Sequence, residues 1–212
     1  FTAFSSSVSP KAITPSSLFA RILRGEITAM ETLISSATKT VCISPDHPTR
    51  IIGERINPTG RKQFAAALIE GDLGMVRNDA IAQVKAGADI LDVNVGAAGA
   101  DEVALMPRAA RVVMEAVDVP ICFDSPNPKA LEAGLAVYEG KALINSVNGE
   151  ENLLQTVLPL VAEHRAVVIG LCMDDNGIPD TAEGRLRVAG KIIERAGKVG
   201  IGPENILIDP LV

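Results

Sequence analysis

The chain has 212 residues, 47% of them hydrophobic, which is enough for one sizeable core and argues against intrinsic disorder. Its formal charge of −6, from 20 Lys and Arg against 26 Asp and Glu, offers no positive field to a nucleic-acid backbone, and no run reaches the roughly 18 apolar residues of a membrane-crossing helix. Cys42, Cys122 and Cys172 lie far apart without a Cys-x-x-Cys spacing, which indicates neither a disulfide framework nor a zinc ribbon and fits a reducing, cytoplasmic compartment.

In chain order, Phe1 to Arg24 is rich in Ser and Thr, contains Lys11, Arg21 and Arg24, and has no acidic residue, a composition shared by transit peptides and by ordinary N-terminal arms. Ser16 or Ser17 is placed to cap a helix running to about Ile34. Thr40 to Ile43 is apolar and is followed by Ser44-Pro45-Asp46-His47-Pro48, which predicts a short hairpin able to plug the bottom of a barrel. Residues 1–49 therefore read as a helical arm and hairpin, and residues 50–212 as a single domain. In that domain short β-branched runs ending in polar residues alternate with segments of helical period, the pattern of parallel strands joined by crossover helices. Six strands are expected, at Arg50 to Glu54, Asp89 to Asn94, Pro120 to Ser125, Lys141 to Ser146, Ala166 to Met173 and Asn205 to Asp209. Helices are expected over Lys62 to Gly87 with a break near Gly71 to Gly74, Asp101 to Val117, Asn127 to Tyr138, Glu150 to His164 and Thr181 to Val199. Asn127-Pro128 is a cap followed by Pro at the first helical position, and Gly87, Gly140 and Gly200 stand where helices stop.

Such a repeat fits an open doubly wound sheet or a TIM-type (αβ)8 barrel, and the strand ends discriminate between them. Glu54, Asp92, Asn94, Asp124, Asn145 and Asp209 all fall at or just past the ends of apolar runs, on five different strands. An open sheet gathers its ligand groups at one switch point, whereas a barrel brings every strand end to one mouth. Parity agrees with the barrel. Ile90 shares a face with Asp92, Cys122 with Asp124, Leu143 with Asn145 and Leu207 with Asp209, so an apolar residue fills the interior beneath each polar one. Arg50 to Val212 is well short of the roughly 250 residues of a complete barrel, so about six βα units are present and the domain reads as truncated at its C-terminal end.

A rim of carboxylates and carboxamides with few cations suits a neutral heterocycle rich in N–H donors, such as an aminopyrimidinone. Two adjacent N–H groups of that ring match the two oxygens of one carboxylate, for which Asp124 and Asp209 are the candidates. Asn94 and Asn145 each offer a donor and an acceptor to ring nitrogens and carbonyls. Helix capping alone also places such residues after strands, but four of them at rim positions of matching parity exceed what capping requires. Glu54, Asn57 and Ser146 are placed as supports, and Ser125 and Asn127 as caps. Other chemistries fare poorly. His47 and His164 lack metal-ligand spacing, so no metal site is expected; the cysteines read as small buried hydrophobes; no Gly-x-Gly-x-x-Gly or P-loop is present; and Asp174-Asp175-Asn176-Gly177 reads as a solvated loop.

The run Ile52-Gly53-Glu54-Arg55-Ile56-Asn57-Pro58-Thr59-Gly60-Arg61-Lys62 resembles the opening of the pterin-binding domain of methyltetrahydrofolate:corrinoid methyltransferases and of the folate module of cobalamin-dependent methionine synthase. Leu91 to Gly96, Phe123-Asp124-Ser125, Ile144 to Asn148, Gly170 to Met173 with Gly177-Ile178-Pro179, and Ile208 to Leu211 resemble that family's strand-end motifs in the same order. The resemblance implies a barrel that binds methyltetrahydrofolate and passes its methyl group to the cobalt of a cobalamin or other corrinoid held by a partner protein, with a tendency to homodimers. It also implies that Asp124, Asn145 and Asp209 bind the pterin while Asp92 and Asn94 line the site. Cobalt is itself the nucleophile, so no nucleophilic side chain is required. In the family the asparagine contacting the departing ring nitrogen belongs to a later strand, so these 212 residues alone are expected to bind the pterin but to transfer slowly or not at all. The alternatives are a dihydropteroate synthase-like enzyme, for whose pyrophosphate Arg55, Arg61 and Lys62 are the only candidates, and a non-catalytic folate-binding module.

Overall fold

The structure, a computed structural model, describes residues 30–212. Strands β1 (Thr32–Ser35) and β2 (Thr40–Ile43) form an antiparallel hairpin with Thr32 opposite Ile43 and Ser35 opposite Thr40. This corrects two expectations. The predicted N-terminal helix does not reach Ile34, because Thr32 and Ile34 alternate with exposed Leu33 in the two-residue period of a half-buried strand; the remainder of that predicted helix lies outside the described residues. The hairpin turn is Ser36 to Lys39, closed by the Ser36 N–H on the Lys39 carbonyl at 2.9 Å, whereas Ser44 to His47 forms a separate turn on the way to the next strand.

The six expected strands follow as β3 (Ile52–Ile56), β4 (Ile90–Val93), β5 (Ile121–Asp124), β6 (Leu143–Val147), β7 (Val167–Leu171) and β8 (Ile206–Asp209). Between them lie α1 (Lys62–Ile69), α2 (Gly74–Lys85), α3 (Glu102–Ala116), α4 (Pro128–Leu135), α5 (Glu151–Glu163) and α6 (Ala182–Lys198). The strands pair in parallel and strictly in sequence order, β3-β4-β5-β6-β7-β8. An open doubly wound sheet reverses its order at a switch point; a sheet that never reverses is the wall of a barrel. Among the described residues β3 pairs only with β4 and β8 only with β7, so the wall is partial. Helix starts follow the side-chain caps. Asp101 accepts from the Ala104 N–H, Asn127 from Lys129 and Thr181 from Gly184, each at 3.1 Å. Among the described residues no helix is long and apolar enough to cross a membrane.

Strand parity divides the core in two. Leu91, Val93, Ile121, Phe123, Ile144 and Val168 face the helices, while Ile90, Cys122, Leu143 and Val167 face inward and enclose Ile34 and Val41 of the hairpin. The hairpin thus fills the barrel where its strands begin. Ser35 and Lys141 exchange backbone bonds at 2.9 and 3.0 Å, and the Thr32 hydroxyl donates to the Glu204 carbonyl at 2.8 Å. Tyr138, which the sequence places at the end of a helix, lies past the end of α4. Its hydroxyl accepts from the Ile121 N–H and donates to the Ser35 carbonyl, tying the hairpin to the start of β5. Its ring stands edge-on to Phe123 with centroids 5.5 Å apart.

Helix α4 approaches the wall through Gly134, where a β-carbon would fall 2.8 Å from both Met106 and Phe123. Gly134→Ala is therefore expected to destabilise the fold by about 1 to 3 kcal/mol through overpacking, read as a lower urea midpoint with unchanged slope. An unchanged midpoint would contradict the close packing.

Candidate functional site

The sheet register sets the polar groups in tiers at the end of the barrel opposite the hairpin. Asp92, Cys122, Leu143 and Val167 stand opposite one another across four strands, and Asp124, Asn145, Ile169 and Leu207 do so one inward-facing step higher. Asn94, one residue past β4, joins this upper tier. The apolar members floor the site, and the Asp and Asn members rise from it along β4, β5 and β6.

Two cross-strand pairs result. The Asn94 Oδ1 accepts from the Gly96 N–H at 2.9 Å, which fixes the orientation of the amide, and its Nδ2 donates to Asp124 Oδ2 at 2.8 Å. The Asn145 Nδ2 donates to Asp92 Oδ2 at 3.1 Å. Asp92 is only 2% exposed and has no salt bridge among the described residues. Burial is the main cause of its pKa rising to about 6; the Asn145 amide opposes the rise and the Asp124 charge adds to it. Burial also raises the pKa of Asp124, and its bond from Asn94 opposes the rise. Beside Asp92, on the neighbouring strand, the Cys122 thiol is fully buried, and burial together with the Asp92 charge pushes its pKa well above the usual range.

The remaining predicted residues stand apart from this quartet. Asp209 ends β8 opposite Leu171, one further inward-facing step up, where it is exposed and accepts from the Leu211 N–H at 2.8 Å. Glu54 is exposed within a bulge between Gly53 and Ile56, near enough for its charge to raise Asp92 slightly. Asn57 closes a local turn by accepting from the Thr59 N–H at 2.9 Å, and Ser146 is half-buried where the β6–β7 register shifts. Two supports were not singled out by the sequence reading. Glu102, at the start of α3, receives the hydroxyl of buried Ser125 at 2.5 Å, so the loop after β5 is held by the helix after β4. Asn148 is also buried, and it receives the Glu150 N–H at 2.8 Å and donates to that side chain at 2.9 Å, shaping the entry to α5. For Asn148 the available signal is the rule applied to the other residues, a polar side chain just beyond an apolar run; Glu102, at a helix start nine residues past β4, carries no such signal.

The chemistry on offer is acceptance by paired carboxylates and two-way bonding by carboxamides, without a nucleophile poised among them. The fold and this mouth define an α/β-barrel protein that gathers carboxylates and carboxamides at its strand ends. The family profile described as pterin binding enzyme matches residues 53–212, and the chain belongs to that family. It is 36% identical over 167 residues to a methylcorrinoid:tetrahydrofolate methyltransferase from Eubacterium limosum, covering 76% of this chain and 60% of that protein. It is 35% identical over 187 residues to methionine synthase from Mycobacterium tuberculosis, covering 85% of this chain and 16% of that protein. Among solved structures, a Xanthomonas albilineans dihydropteroate synthase in complex with 6-chloroguanine and indole-2-carboxylic acid superposes with a TM-score of 0.62 at 22% identity, covering 85% of this chain and 65% of that one, which shows a shared fold.

The raised pKa of Asp92 has a definite sign for stability. Between its ordinary value near 3.8 and about 6 the folded chain holds a proton that the unfolded chain has lost, so stability falls as pH rises through that window. Asp92→Asn keeps an acceptor for Asn145 and removes the buried charge. It is expected to stabilise the fold at pH 7 by up to about 3 kcal/mol, with the gain vanishing near pH 4. Thermal melts of both proteins across this range test it; a variant less stable at pH 7 than at pH 4, relative to the parent, would reverse the assignment.

Proposed function

We propose that this chain binds methyltetrahydrofolate at the Asp92–Asn145 and Asn94–Asp124 pairs and serves a methyltransferase that passes the methyl group to the cobalt of a corrinoid carried by a partner protein. The observation that carries this reading is the doubled Asp–Asn pairing in a mouth floored by apolar side chains. Each asparagine is aimed by a neighbour, so the carboxylates are held ready at no cost in reorganisation when the ring arrives. Asp124 keeps one oxygen free of the Asn94 bond for a ring N–H, and Asp209, higher on the rim, is placed to meet a second edge. Asn145 retains its amide oxygen and one N–H for the ring. Such charge-assisted bonds fix the ring's orientation, and orientation is the main contribution a protein makes to a methyl displacement whose nucleophile comes from outside.

The relatives' names support this reading, since one joins methylcorrinoid to tetrahydrofolate and another is a methionine synthase. A dihydropteroate synthase-like reaction would need cations for pyrophosphate. Of the three candidates, Arg61 is engaged by Asp79 at 2.6 Å and lies over the Phe64 ring at 4.6 Å, which favours the methyltransferase reading. The chain spans 60% and 16% of the two named relatives, and the transfer step is assigned to the protein in its full length.

Asp124→Ala is expected to weaken methyltetrahydrofolate binding roughly ten- to hundredfold through loss of a charge-assisted contact. Calorimetric titration with circular dichroism as a folding control measures this, and unchanged affinity in a folded variant would remove Asp124 from the site. Anaerobic absorbance of the full-length protein with methyltetrahydrofolate and a reduced corrinoid protein should show loss of the Co(I) band. Binding without any transfer would instead favour a non-catalytic module.

A further inference from the structure

We propose that Glu31, Cys42 and His47 form a binding site for a divalent cation of the zinc class on the underside of the barrel, independent of the pterin reading. The hairpin register creates it. Thr32 pairs with Ile43 and Leu33 with Cys42, so the face opposite the buried Thr32, Ile34 and Val41 presents Glu31, Leu33, Cys42 and Ser44. The turn that follows then folds back. The His47 N–H donates to the Ser44 carbonyl, and the Asp46 N–H to the Ser44 hydroxyl, which returns the His47 ring over the end of β2. Its Nδ1 comes to 3.8 Å from Cys42 Sγ, and one ligand atom from each of Glu31, Cys42 and His47 lies within 4.8 Å of the other two.

A thiolate, an imidazole and a carboxylate are the donor set of tetrahedral zinc sites, and three protein ligands leave the fourth position to water. Metal–ligand bonds of about 2.0 to 2.3 Å set the donors about 3.3 to 3.6 Å apart. Closing the observed triangle therefore needs shifts of about 1 Å, and Glu31 and His47 are exposed side chains free to make them. On binding, the Cys42 thiol releases its proton to solvent, and neutral His47 exchanges its 3.0 Å contact with the Ser44 hydroxyl for the metal. A simple Cys–His hydrogen bond accounts for two of the three groups, but not for the convergence of Glu31 from the other strand. The site joins both strands of the hairpin to the segment that leads into β3, so the cation acts as a clasp on the barrel plug. Sequence spacing concealed it, because Cys42 and His47 are too far from Glu31 to form a motif until the strands pair.

The test uses the chain stripped with chelator and titrated with Co(II), then with Zn(II). One equivalent of Co(II) should produce a thiolate-to-cobalt charge-transfer band that one equivalent of Zn(II) abolishes, and bound Zn(II) should raise the melting temperature. Cys42→Ser should lose the band. Glu31→Gln and His47→Ala alter exposed side chains and keep the fold testable, and each should weaken binding by more than about tenfold. Absence of the band in the parent chain, its persistence in Cys42→Ser, or unchanged affinity in both Glu31→Gln and His47→Ala would overturn the proposal.

Discussion

A carboxylate buried in the barrel wall, with no cation paired to it among the described residues, is the constraint around which the mouth of this protein is arranged. Asp92 stands in one tier with Cys122, Leu143 and Val167 and accepts from the Asn145 amide. Burial raises its pKa to about 6, and replacing a lone buried charge by a neutral isostere commonly stabilises a protein, so ionised Asp92 is a cost to the fold. Its electrostatic burden also organises its neighbours. Asn145 is turned toward it, and Asp124, which shares the same field, is bridged by Asn94 instead of by a lysine or arginine. The result is a cluster of polar groups whose orientations are fixed by their mutual hydrogen bonds.

That arrangement requires a rigid floor, which the opposite end of the barrel supplies. The hairpin inserts Ile34 and Val41 among Ile90, Cys122, Leu143 and Val167, and its edges are fixed by Lys141, Glu204 and Tyr138. Asp118 adds bonds from the Ser36 and Thr38 hydroxyls at 2.5 Å each. Dense packing below leaves little room for the strands to shift, which supports the β4–β5–β6 register that places Asp92 and Asn145. The two ends share one inward-facing row of side chains on each strand, apolar at the start and polar at the finish.

Much of this was legible in the sequence because the signals were local. Asn127-Pro128 and Asp101 mark helix starts, the break near Gly71 to Gly74 separates α1 from α2, and the alternation of Ile90 with Asp92 or Leu143 with Asn145 gives the parity of the wall. What escaped depends on pairing. The hairpin turn at Ser36 to Lys39 carries neither Gly nor Pro, so the Pro-rich Ser44 to Pro48 stretch drew the turn assignment instead. The bulge between Gly53 and Ile56 places Glu54 outside the simple alternation, and no composition signals it. Asp209 has the right parity, yet the register of β8 against β7 lifts it a step above Asp124 and Asn145. A sequence reports which face a residue takes; the height at which it meets its neighbours is decided by the whole wall.

The proposed function requires the quartet to recognise the pyrimidinone ring of the folate and not its tail. Competition calorimetry with the two halves of the ligand tests this most directly, using a tetrahydropterin without the side chain and p-aminobenzoylglutamate without the ring. The tetrahydropterin is expected to bind alone and to displace methyltetrahydrofolate, and Asp124→Ala and Asn145→Ala are both expected to weaken it. Binding of p-aminobenzoylglutamate with no measurable affinity for the tetrahydropterin would contradict this requirement.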